Sequence, residues 1–103
     1  MEMYPRLYVG ETVNNPDKLI HKLKRHAKRV DAYVITLSKN PYDQLEIYEA
    51  KYLVQKYYQK NPPYIIGIAG NYEEAVGIIR QIAEETVVAQ GNGCIKEYLK
   101  CYM

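Results

Sequence analysis

Two apolar runs, Tyr33–Ser38 (YVITLS) and Tyr64–Ala69 (YIIGIA), constrain the fold more than any other feature of the 103-residue chain. Neither alternates polar and apolar residues. Each therefore predicts a strand buried on both faces, as in a parallel sheet. Each also stops at a polar turn that leads into a helical pattern. Asn40-Pro41 follows the first run. Asn71, with Glu74 three residues on, follows the second as an Asn-led variant of the capping box. A third, shorter β-favouring run, Arg6–Val9, ends at Gly10, and Asn15-Pro16 then starts a helix, with Asn as cap and Pro at the first helical position.

Four helices are expected. The first runs from Pro16 to about Arg29, with Leu19, Ile20, Leu23, Ala27 and Val30 on its apolar arc. The second runs from Pro41 to about Gln59 and has two apolar sides. Ile47, Ala50, Leu53, Val54, Tyr57 and Tyr58 form one, and Leu45, Tyr48 and Tyr52 form the other. Asn61-Pro62-Pro63 ends it, because a residue before proline disfavours the helical conformation. The third spans Tyr72 to about Gln90 and closes at Gly91 and Gly93. A short last helix places Ile95, Tyr98, Leu99 and Tyr102 on one side. The order β-α-β-α-β-α-α predicts a single α/β domain over residues 1–103, built on a three-stranded parallel sheet with right-handed crossovers. Strand order 2-1-3, a truncated flavodoxin-like arrangement, is preferred because it covers both sheet faces with helices.

The charge is unevenly placed. Six of the fourteen basic residues (Lys18, Lys22, Lys24, Arg25, Lys28 and Arg29) lie in one segment without an acid, leaving eight basic against twelve acidic residues elsewhere. This basic helix is a candidate contact for nucleic-acid phosphates, an acidic protein partner or an anionic membrane surface. Its cations are not interleaved with aromatics, so nucleic acid ranks third among the functional readings.

In an open parallel sheet, ligands bind beyond the carboxyl ends of the strands. That edge is expected to carry Glu11, Thr12, Ser38, Lys39, Asn40, Asn71 and Tyr72 around three helix N-termini, a crevice suited to an anion or phosphate. The nucleotide fingerprints GxGxxG and GxxxxGK[ST] are absent, and no cofactor is called for. His21 and His26 are five apart and do not share a helix face, so no metal site is expected. No nucleophile–base–acid set can be assembled, with Glu11 the single acid–base candidate, and the reading leans away from an enzyme.

Twelve tyrosines with no Phe or Trp point to side chains at the border of core and water. Leu45, Tyr48 and Tyr52, with Tyr98, Leu99 and Tyr102 of the last helix, are the candidate interface. The leading expectation is a small interaction module that forms a homodimer through its Tyr-rich second helix. A small-ligand sensor or enzyme at the crevice is the alternative. The N-terminus lacks a basic and apolar leader, and no run is long enough to span a bilayer. Cys94 and Cys101 are too few for a disulfide framework. A cytoplasmic protein without membrane insertion is expected.

Overall fold

A computed structural model of the chain describes residues 2–27, 29–40 and 42–103. Among them, four strands form one mixed sheet: β1 (Met3–Val9), β2 (Tyr33–Leu37), β3 (Leu45–Glu49) and β4 (Ile65–Ala69), in the order β1-β4-β2-β3. β1 and β4 are parallel, whereas β2 runs antiparallel to both β4 and β3. The α/β class expected from the sequence is present. The three-stranded parallel sheet and the order 2-1-3 are corrected.

The reversal of β2 begins in the first helix. α1 (Pro16–Lys24) starts as expected, with the Asn15 carboxamide oxygen accepting from the Lys18 N–H at 3.1 Å and Pro16 in the first turn. It ends five residues before the expected Arg29. His26 adopts the left-handed conformation (φ 55°), its N–H bonds to the Leu23 carbonyl, and the Ala27 N–H bonds to the Lys22 carbonyl. This pair of bonds is a Schellman stop, formed without glycine. The chain turns back at once, and β2 starts beside the end of β4, with Tyr33 opposite Ala69. A longer helix would have carried the chain to the other end of the sheet and made β2 parallel. An uninterrupted apolar run reports burial of a strand, not its direction.

The expected second helix is replaced by a hairpin and two short turns of helix. After β2 the Asn40 carboxamide oxygen accepts from the Tyr42 N–H, and the Asp43 N–H bonds to the Asn40 carbonyl. The Asn side chain thus closes a turn instead of capping a helix. Pro41, the expected first helical residue, lies outside the described residues. Leu45–Glu49 then alternates: Leu45 and Ile47 pack toward one core and Tyr48 toward the other. A 3₁₀ turn (Ala50–Val54) and α2 (Lys56–Lys60) carry the chain back across the sheet to β4.

α3 (Tyr72–Gln90) matches its expected bounds, capped by Asn71 and closed by Gly91 at φ 72°. α4 (Ile95–Lys100) follows. These two helices cover one sheet face around Ile35, Ile66, Ile82 and Leu99. α1, the 3₁₀ turn and the α1–β2 link cover the other around Leu23, Val34, Leu53, Ile65 and Ile68. β4 is buried at every residue, as its unbroken apolar run predicts for a central strand. No helix among the described residues is long and apolar enough to cross a membrane.

Candidate functional site

Because β2 is reversed, the two ends of the sheet carry different chemistry. One end holds the exits of β1 and β4, the start of β2 and the start of α1. The other holds the exit of β2 and the 38–44 turn. The expected crevice is therefore divided: Glu11, Thr12, Asn71 and Tyr72 lie at the first end, and Ser38, Lys39 and Asn40 at the second.

At the first end, a cleft of about 330 Å³ opens between the β1–α1 loop, α1 and the link into β2. Its walls include Thr12, Asn15, Lys18, Lys22, Arg29, Asp31 and Gly70. Lys18 and Lys22 are one turn apart on α1, so both reach the same side. Arg29 arrives on the returning link that the His26 stop creates. Among the described residues the one ion pair joins Lys51 to Glu49 at 3.0 Å. The three cations therefore face the cleft with no carboxylate in contact, although Asp31 lies on its wall. The helix end adds little, because Asn15 already accepts the Lys18 N–H and the Leu19 N–H bonds to the Asn15 carbonyl. Lys24 and Arg25 are exposed elsewhere on the surface, and Lys28 lies outside the described residues.

The floor of the cleft is fixed by one carboxylate that the sequence did not mark for this task. Glu74 accepts from the Gly70 N–H at 2.8 Å, the Thr12 N–H at 3.0 Å and the Thr12 hydroxyl at 2.7 Å. The Gly70 bond, followed by those of Thr12, holds its carboxyl below the usual carboxylate range. A side chain at Gly10 or Gly70 would displace the groups that crowd together here. A Cβ on Gly70 would lie 2.1 Å from the Thr12 hydroxyl oxygen, and one on Gly10 would lie 1.9 Å from Glu74. Only half of the expected capping box forms at Asn71: its side chain accepts from the Glu74 N–H at 2.9 Å, while the Glu74 carboxylate takes the N–H of Gly70 and not that of Asn71. Its glutamate reaches past the cap to the loop after β1, a contact 62 residues away in sequence for which no local signal exists.

Glu11 and Asn71 border a separate hollow with Glu73 and Glu74. That acidic lining disfavours an anion. Tyr72 is 56% exposed and meets Tyr33 edge to face at 5.9 Å.

At the second end, Ser38 is buried and donates to Glu46 at 2.7 Å, while Tyr48 donates to the other oxygen of the same carboxylate. The two hydroxyls, Tyr48 first, hold Glu46 below the usual range, and the bond to Glu46 pushes the Tyr48 phenol up. Strand pairing sets Glu46 opposite Thr36 on the face toward Tyr58. Sequence reasoning missed Glu46, because a helix would have placed it away from Ser38. The alternation of Leu45–Glu49 was the available signal.

The expected interface is also dispersed. Leu45 and Tyr48 are three apart, which is one side of a helix but opposite faces of a strand. Leu45 and Tyr98 pack against the core cluster that holds Leu99, and Leu99 is fully buried. Tyr52 is exposed on the 3₁₀ turn, and the Tyr102 ring lies under the Arg6 guanidinium at 3.8 Å. Compared with family models, curated proteins and solved structures, the chain has no significant match.

Proposed function

We propose that the domain is a binding module for phosphate-bearing anions, taken up in the cleft between α1 and the link into β2. The observation that carries this reading is the convergence of Lys18, Lys22 and Arg29 on one cleft with no carboxylate in contact. Unpaired cations around a concave surface lower the free energy of an incoming anion, and a phosphate oxygen meets ammonium and guanidinium donors with charge-assisted bonds. The reading is binding and not catalysis, because no Ser, Cys or His lines the cleft among the described residues. The test is calorimetric titration with pyrophosphate and with a short single-stranded oligonucleotide, at low and moderate salt. Pyrophosphate is expected to bind, and Lys18→Ala with Lys22→Ala to weaken it about ten-fold or more, the worth of one charge-assisted contact. Oligonucleotide binding that falls steeply with salt would instead make the ligand a nucleic-acid backbone. Absence of binding by both probes, or an unchanged double variant, sinks the reading.

A second reading is self-association, with β3 as the surface. β3 lies at the edge of the sheet, and Tyr52, 44% exposed, lies on the 3₁₀ turn that follows it. An unpaired strand edge is a template for a second copy. A light-scattering mass of one chain at micromolar concentration would remove it. Cys94 and Cys101 carry free thiols, in keeping with a reducing, cytoplasmic setting.

A further inference from the structure

We propose that the hollow at the exit of β2 is a second binding site, for a small zwitterion of amino-acid type. Its ammonium is held by Glu46 among the rings of Tyr48, Tyr57 and Tyr58, and its carboxylate meets Lys39. The site is independent of the cationic cleft, which lies at the other end of the sheet.

The hollow measures about 200 Å³, and its walls include Thr36, Lys39, Glu46, Tyr48, Tyr57 and Tyr58. Strand register builds one wall, because Thr36 and Glu46 are direct cross-strand partners and Tyr48 is two residues further on the same face. The turn into α2 builds the other by setting Tyr57 and Tyr58 against it. The rings stand at steep angles to one another. Tyr48 and Tyr58 are 5.7 Å apart at 61°, and Tyr57 and Tyr58 are 5.1 Å apart at 86°. In each pair the edge of one ring meets the face of the other, and all three rings line the hollow, where ring surface attracts an ammonium ion.

Glu46 supplies the matching charge. Each of its oxygens accepts one hydroxyl, from Ser38 and from Tyr48. A carboxylate offers about four acceptor positions, so two remain for an ammonium. Both hydroxyls donate to it, which favours its ionised form and makes it a weak proton acceptor. Ser38 is also engaged twice, since its oxygen accepts the Asn40 N–H at 3.0 Å. The set therefore lacks a free nucleophile and suits recognition. Lys39 is exposed and has no ion-pair partner among the described residues. A lone amine would leave it repelling the ligand, and a lone carboxylate would meet Glu46. A ligand carrying both charges satisfies both.

Three probes of equal chain length separate these cases: aminovalerate, pentylamine and valerate, titrated into the full chain and followed by amide chemical shifts in heteronuclear NMR. Aminovalerate is expected to move the amides of Glu46, Tyr57 and Tyr58 and to bind about ten-fold tighter than either single-charge probe. Lys39→Met is expected to bring it down to the level of pentylamine. Glu46→Gln removes the inner charge but also loosens the hydroxyl latch. Tyr57→Ala is therefore the second variant: its ring is 63% exposed and belongs to neither core, so thermal stability stays while aminovalerate binding weakens several-fold. No shift with aminovalerate at millimolar concentration overturns the proposal. So does valerate binding as tightly as aminovalerate, or unchanged affinity in both Lys39→Met and Tyr57→Ala.

Discussion

Glu74 shows how one side chain can hold a site together. Its carboxylate gathers the Gly70 N–H and both donors of Thr12, joining the exits of β1 and β4 on the floor of the cationic cleft. Those donors favour the ionised form, so its folded pKa is depressed. A depressed carboxylate contributes stability that is present above its unfolded value, about 4.3, and lost as pH falls through the lower folded value. Thermal melts of wild type and Glu74→Gln between neutral and acid pH check this. The variant is expected to be less stable at neutral pH by about 1 kcal/mol, below the roughly 1.5–3 kcal/mol of charged hydrogen bonds because Thr12 is exposed. The difference should shrink as pH falls into the acid range. A constant offset at all pH values would mean that the charge of Glu74 contributes nothing.

At the scale of elements, caps were legible where they acted locally and deceptive where a turn competed. Asn15 and Asn71 cap their helices as the sequence implies, and α3 keeps its expected bounds because its cap, apolar arc and terminal Gly91 all agree. Asn40 has the same residue type before a proline, yet it closes a turn, and the segment after it alternates as a strand. Leu45–Glu49 fits both periods in a window this short, and only its pairing with β2 selects one. The cationic cleft was half legible for the same reason. Lys18 and Lys22 share a helix face by spacing, but Arg29 joins them through a stop at a residue that carries no glycine signal. That stop is itself testable. His26 holds a left-handed backbone that costs an ordinary residue about 1–2 kcal/mol, and its Nδ1 is buried without a partner among the described residues. His26→Gly is expected to raise stability by about 0.5–1 kcal/mol after the entropy that glycine adds to the unfolded chain. Urea denaturation measures it, and a loss of stability would show that the imidazole packs more favourably than its backbone is strained.

Across the whole molecule, the two ends of the chain meet in one core. Tyr4 of β1, Ile35 of β2, Ile66 of β4, Ile82 of α3 and Leu99 of α4 form a single buried cluster. Arg6 over the Tyr102 ring adds a second link between the first strand and the C-terminal residues. Gln44 ties the start of α4 to the hairpin by donating to the Gly93 carbonyl at 3.0 Å. α4 is only six residues long, too short to persist as a helix alone, so its order derives from docking. Leu99, with none of its surface exposed, is its principal anchor. Leu99→Ala is expected to cost about 2–5 kcal/mol, a large share of the 5–15 kcal/mol typical of a domain. Because its partners lie on β1, β2, β4 and α3, the loss should be global. Far-ultraviolet circular dichroism and tyrosine fluorescence should report one coincident urea transition, shifted but not split. Val88→Ala, on an α3 side chain that is 88% exposed, is the control and should fall within about 0.5 kcal/mol of wild type. If Leu99→Ala cost no more than this control, or if the two signals separated, α4 would be an appendage and not part of the core that the sheet shares.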